Sequence, residues 1–261
     1  MLDKNKTQEI TNTVMNESTV SERETKPAQS GVRVVSQIQP IRILVANAKG
    51  GCGKTTMATN LASYFATQGE STSIIDYDPQ GSSIDWLSIR EPHLAKINGV
   101  AAFKNQTPNS TRSYNLRVPS STSRIILDTP AGLSGNILSD MIQASDFIII
   151  PVVPSSIDIR AATGFIRDVL LSRAYRTNKK EIAVVANRVK KNTLIYHKLE
   201  LFLNSLNIPF ITSFRDTQNY VRASEHGLGL ADFNQLDNKD KLEWQPMLEW
   251  IEEQIRSKQI K

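Results

Sequence analysis

The sequence predicts an α/β fold: a doubly wound, mostly parallel sheet flanked by helices. Two observations carry that expectation. From residue 41 onward, short and nearly continuous apolar runs alternate with longer segments of helical periodicity, and strands that lack polar alternation are those buried on both faces. Each motif with chemical content also falls just after one of these runs, at the sheet edge where open α/β proteins bind their ligands.

In chain order, "IRILVAN" (41–47) is the first strand and 54–68 its helix. "STSIID" (71–76) is followed by a helix over 82–90, and "RIILD" (124–128) by one over 134–144. "DFIIIPV" (146–152) precedes a helix over 156–174, and "EIAVVAN" (181–187) one over 193–206. "IPFIT" (208–212) closes the strand series, with helices over 217–226 and 241–258 after it. The stretch 93–123 is less regular and reads as a short strand with loops. Residues 1–38 have no aromatic residue and are rich in Thr, Ser, Asn, Gln and Glu. They read as a disordered arm ahead of one domain over 39–261, with some strand character in "VRVVSQI" (32–38).

Composition narrows the function classes. The chain has 261 residues, 39% hydrophobic and 22% charged, enough for a sizeable core. No apolar run is long enough to cross a membrane, and the first residues lack the apolar core of a secretory signal. The single cysteine, Cys52, supports neither an internal disulfide nor a Cys-based zinc site. His93, His197 and His226 are scattered, without metal-ligand spacing. A cytoplasmic location is the expectation. The net charge of +5 is concentrated: residues 160–222 hold 12 basic against four acidic residues. Such an excess suggests a polyanion partner, a solvated basic face being the alternative.

"AKGGCGKTT" (48–56) follows the first strand. It fits the phosphate-binding pattern G-x-x-x-x-G-K-[ST] except that Ala48 stands at the first glycine and a second lysine, Lys49, follows it. Gly50, Gly51 and Gly53 let the backbone turn its N–H groups inward around phosphate oxygens, and the helix start adds its positive dipole end. The candidate cradle is Lys49, Gly50, Gly51, Cys52, Gly53, Lys54, Thr55 and Thr56. Lys54 is expected to reach the β- and γ-phosphates of ATP, and the Thr55 hydroxyl to bind Mg²⁺.

Two acidic strand ends follow. "DYDPQG" (76–81) places Asp78 in a loop beside the phosphates, where a carboxylate can orient the attacking water. Asp128, ending "RIILD" before "TPAG", is the expected Mg²⁺ carboxylate, and Gly132 gives its loop freedom to respond to the γ-phosphate. Taken alone, both stretches are also ordinary turn sequences; their order after the phosphate loop favours the site reading.

Together, Lys49-Gly50-Gly51-x-Gly53-Lys54-Thr55-Thr56, Asp76-x-Asp78-Pro79-Gln80-Gly81, Asp128-x-Pro130 and "PVVPSSIDIRAA" resemble the ParA/MinD family of deviant-Walker P-loop ATPases over about residues 41–258, on the ParA side. The resemblance implies a slow, Mg²⁺-dependent ATPase that forms an ATP-dependent homodimer, with Lys49 as the signature lysine reaching across to the partner's phosphates. It makes Lys49, Lys54 and Asp78 the catalytic candidates, and Thr55, Asp78 and Asp128 the metal candidates. Asn187, after the fifth strand, resembles a base-contacting position, an ordinary strand-end asparagine being the alternative. The resemblance also implies non-specific DNA as a nucleoid surface, and a ParB-like or cargo-adaptor protein that stimulates hydrolysis. Arg160, Arg167, Lys190, Lys191, Arg215 and Arg222 are the basic candidates for DNA. "DTPAG" lacks the second proline common in plasmid- and chromosome-partitioning members, and looks more like the branch that positions protein cargo.

Other users of the same loop fit less well. Iron–sulfur relatives need cysteines that this chain lacks, and tyrosine kinases of this fold carry a tyrosine-rich tail where residues 221–261 have none. A MinD-like membrane ATPase is the main rival. The tail "MLEWIEEQIRSKQIK" puts Met247, Trp250, Ile251 and Ile255 on one helical face, but Glu249, Glu252 and Glu253 on the other would be repelled by anionic lipid. Packing on the sheet is expected, and no membrane.

Overall fold

A computed structural model describes residues 39–105, 117–233 and 237–259. The expected N-terminal arm, with its 32–38 stretch, lies outside the described residues. Seven strands form one sheet: β1 (Ile41–Val45), β2 (Thr72–Asp76), β3 (Ile97–Ala101), β4 (Arg124–Asp128), β5 (Phe147–Val152), β6 (Glu181–Val189) and β7 (Phe210–Arg215). Their order is β3-β2-β4-β1-β5-β6-β7 and every neighbouring pair is parallel. The helices are α1 (Lys54–Thr67), α2 (Ser82–Ser88), α3 (Gly135–Ala144), α4 (Ser156–Leu171), α5 (Arg173–Thr177), α6 (Leu194–Asn204), α7 (Gln218–Glu225) and α8 (Asn238–Gln259).

The period-2 geometry of β1 divides the core. Ile43 and Val45 point to one face, where they meet Met57, Leu61 and Phe65 of α1 and Met247 and Ile251 of α8. Leu44 and Ala46 point to the other, with Leu138 and Ile142 of α3 and Phe165 and Ile166 of α4. Both faces of the central strands are therefore buried, as their unbroken apolar sequences require. The tail helix is part of this core: Met247, Ile251 and Ile255 are almost wholly buried and Trp250 packs edge-on against Phe147. The apolar face that a membrane would need is already covered by the sheet.

Some boundaries differ from the sequence expectation for local reasons. The helix expected over 156–174 breaks at Ser172, which takes an extended conformation and accepts the Tyr175 N–H, capping α5. The last strand starts at Phe210, just past Pro209, and runs on to Arg215. The short strand expected within 93–123 is the edge strand β3, paired with β2.

A strap ties α1 to α2. Trp86 Nε1 on α2 donates to the Leu228 carbonyl at 3.1 Å, and Arg90 grips both Asp232 oxygens at 2.7 Å and the Gly227 carbonyl at 2.9 Å. Asp232 also accepts from Ser63 at 2.7 Å, while Leu230 N–H donates to Asn60 at 2.8 Å, both on α1. Gly227 has φ 64°, and a Cβ there would lie 2.6 Å from the Arg90 backbone, so the close crossing demands glycine. The Arg90–Asp232 pair is almost fully buried, its side chains 5% and 1% exposed. Removing one partner of such a pair strands the other charge. Asp232→Ala is expected to cost about 3–5 kcal/mol, read as a fall in the urea midpoint; a change below about 1 kcal/mol would show that water solvates the pair.

Candidate nucleotide and metal site

The loops that follow β1, β2 and β4 meet at one edge of the sheet. Between β1 and α1 the chain turns through left-handed glycines, Gly51 at φ 75° and Gly53 at φ 93°. Gly53 cannot carry a side chain: a Cβ would lie 2.1 Å from Asn187 Nδ2. The loop is braced from three sides. Asn47 is buried and donates to the Pro151 carbonyl of β5 at 2.7 Å while accepting the Lys49 N–H at 3.1 Å. Gly132 N–H donates to the Ala48 carbonyl at 2.7 Å, which joins the loop to the segment after β4. Asn187 donates to the Cys52 carbonyl at 2.8 Å and accepts the Arg188 N–H at 2.9 Å. Its amide thus grips the phosphate loop. Arg188 beside it has φ 54°, a left-handed conformation rare outside glycine, at the bulge between β6 and β7.

The two loop lysines are treated in opposite ways. Lys54 is buried and its ammonium donates to the Lys49 carbonyl at 3.1 Å. Lys49 is half-buried, and its ammonium makes no hydrogen bond or ion pair among the described residues. Cys52 is buried with its thiol donating to the Lys49 carbonyl at 3.3 Å. Burial pushes that thiol above its ordinary pKa, so it is a poor nucleophile and fills space.

β2 and β4 are adjacent, with Asp76 and Asp128 in register at their ends. Both are fully buried. Asp76 accepts the Asp78 N–H at 2.9 Å and the Ser83 N–H at 3.1 Å, which caps α2 where Gly81 offers no side chain. Asp78 is half-exposed, and one of its oxygens accepts the Gln80 N–H at 2.9 Å, holding the carboxylate in a tight turn. Asp128 Oδ2 accepts the Ser83 hydroxyl, while Oδ1 is buried with no hydrogen-bond partner among the described residues. Burial drives the Asp128 carboxyl up to about 6; the Ser83 and Thr55 hydroxyls and the Lys54 charge pull it back. A buried carboxylate oxygen without a donor, beside a hydroxyl, suits a small hard cation, so the residues present fit Mg²⁺. The described residues hold no cluster of three or more His, Cys, Asp or Glu of the kind that forms an all-protein metal cage, as expected when a nucleotide supplies the remaining oxygens.

The basic candidates do not form one surface. Arg160 and Arg167 are exposed on α4, and Lys190 and Lys191 are exposed after β6. Arg222 is exposed on α7, which packs by Tyr220 on the opposite face of the sheet from α4. Arg215 differs from the others in that its guanidinium is already held by Asp237 at 2.7 Å and Asp240 at 2.8 Å. Asn47, Ser83 and Thr129, whose buried hydroxyl donates to the Val45 carbonyl at 2.9 Å, are site residues with no sequence signal beyond their neighbourhood to a motif.

The chain is similar in sequence and in fold to known proteins. The family described as the CobQ/CobB/MinD/ParA nucleotide binding domain matches residues 43–230. Maintenance of carboxysome distribution protein A of Halothiobacillus neapolitanus is 29% identical over 190 residues, covering 72% of this chain and 85% of that protein. Apo McdA of Cyanothece superposes with a TM-score of 0.65 at 16% identity, over 81% of this chain and 99% of that one. A plasmid partition protein of Borrelia burgdorferi bound to AMPPNP gives 0.63 at 18% identity, over 81% and 98%.

The Asp128 carboxyl carries a pH signature. Its folded value, about 6, stands above its ordinary 3.8. Between the two the folded protein binds the extra proton, so this group lowers stability as pH rises through that window. Without metal and nucleotide, Asp128→Asn removes a cost of about 3 kcal/mol that is fully present above pH 6. In EDTA, the stability gap between the variant and the parent is expected to widen by about 2–3 kcal/mol from pH 4 to pH 7.5 in urea unfolding. A gap that stays constant would mean that the carboxyl ionises freely.

Proposed function

The chain belongs to the CobQ/CobB/MinD/ParA nucleotide-binding family as a ParA/MinD-type ATPase, and from there we propose that it is an ATP-gated, homodimerising switch that binds non-specific DNA and positions or segregates a cargo. The observation that carries this reading is the contrast between the lysines. Lys54 is buried inside its own subunit, whereas the Lys49 ammonium, in the phosphate loop, meets no anion among the described residues. A second subunit's phosphates supply one. ATP then binds the dimer better than the monomer and shifts the population toward it.

Within one subunit, the N–H groups of Gly50 to Thr56 cradle the phosphates and Lys54 neutralises their charge. Thr55 and Asp128 hold Mg²⁺, which when bound offsets charge on the phosphate oxygens. Asp78 orients the attacking water. The Gly132–Ala48 contact links the phosphate loop to the segment after Asp128, the natural relay from phosphate loss to the dimer face. A ParB-like or cargo-adaptor protein stimulates hydrolysis and resets the switch. The exposed bases of α4 and of the segment after β6 serve the DNA phosphates, giving binding without sequence preference. The absence of a second proline in "DTPAG" and the carboxysome-distribution relative favour protein cargo over a plasmid. The membrane alternative is disfavoured because, among the described residues, the apolar face of α8 is buried on the sheet.

Asp78→Ala is expected to trap the ATP form. With ATP, but not ADP, that protein should bind random-sequence DNA about 10-fold or more tighter, losing this between 50 and 200 mM salt, and Lys49→Ala in the same background should abolish it. Anionic liposomes run in parallel should show no binding. Liposome binding without DNA binding would move the protein to a membrane surface and overturn the proposal.

A further inference from the structure

Ser83 takes no part in the function outlined above, yet its contacts set it apart. It is completely buried in the first turn of α2. A serine inside a helix usually returns its hydroxyl to a carbonyl one turn back. This one instead crosses to β4 and donates to Asp128 Oδ2, while its N–H donates to Asp76 Oδ2 at 3.1 Å on the adjacent strand. One oxygen of the Asp128 carboxylate is therefore pinned, and the other, Oδ1, is the buried atom left without a partner among the described residues.

We infer that Ser83 is the positioning residue of the metal-holding carboxylate, its hydroxyl fixing Asp128 so that the open oxygen is presented to Mg²⁺. The inference rests on the reading of Asp128 as the group that holds the ion. A carboxylate at the end of a strand can rotate about its last bond, and a single charge-assisted hydrogen bond is enough to set that rotation. The same residue also ties this carboxylate to the turn that carries Asp78. Asp76, which holds the Ser83 N–H with one oxygen, holds the Asp78 N–H with the other at 2.9 Å. The segment from Asp76 to Ser83 is thus a closed loop that carries Asp78 and is anchored at its far end on Asp128. The 227–232 strap holds α2 separately, through Trp86 and the Arg90 that follows the helix.

The test is the binding of a fluorescent ATP analogue to the full-length chain, titrated with Mg²⁺ and repeated in EDTA. Ser83→Ala is expected to raise the Mg²⁺ concentration needed for half-maximal tightening by about tenfold or more, the scale for loss of a ligand's hydrogen-bond partner, with binding in EDTA unchanged. Trp86→Phe loosens the far end of α2 without touching the carboxylate and should behave as the parent. An unchanged Mg²⁺ requirement in Ser83→Ala, or an equal shift in Trp86→Phe, overturns the inference. A parent protein whose nucleotide binding ignores Mg²⁺ overturns the reading of Asp128 as well, which separates the two failures.

Discussion

Two carboxylates buried side by side are the constraint around which this site is built. Asp76 and Asp128 end neighbouring strands in register, both are fully buried, and burial raises the pKa of each. Charge in that position is tolerated only where donors answer it. For Asp76 the answer is structural: two backbone N–H groups that set the turn at Asp78 and the start of α2. For Asp128 the answer is half complete, with one oxygen satisfied and one open. The difference between these neighbours converts a pair of strand ends into a scaffold and a binding group.

The lysines repeat the same logic with the sign reversed. Lys54 is buried and steadied by a carbonyl of its own loop, so its charge is fixed in place before any phosphate arrives. Such preorganisation is the usual source of electrostatic stabilisation in phosphoryl transfer. Lys49 has no such support among the described residues and is half-buried. A single loop thus offers one cation to its own subunit and one to whatever lies opposite. The fold makes this possible by placing β1 at the centre of the sheet, where chain order reverses and the loops after β1, β2 and β4 converge.

The parts legible in the sequence were those whose physics is local. Apolar runs gave the strands, and the glycines at 50, 51 and 53 with Lys54 and Thr55 gave the phosphate loop, because turn geometry and helix start are written in adjacent residues. Residues whose role depends on distant partners were not legible. Ser83 is one of two serines after a glycine, and only the pairing of β2 with β4 brings it to Asp128. The ion pairs of Arg215 were hidden because its acidic partners lie 22 and 25 residues further along, one just before α8 and one in its first turn. The grip of Asn187 on the phosphate loop was hidden because the sequence does not reveal that β6 delivers it against Gly53. The strap from Gly227 to Asp232 was invisible for the same reason. Its residues are ordinary until Arg90 is folded over them.

The role given to Lys49 is the claim on which the functional account turns, and sedimentation velocity tests it most directly. In the Asp78→Ala background with Mg²⁺, ATP should convert the protein from monomer to dimer and ADP should not. Adding Lys49→Ala should leave it monomeric while ATP still binds. A Lys49→Ala protein that dimerises with ATP as readily as its parent would contradict the account, because the unpaired lysine would then have no partner to reach.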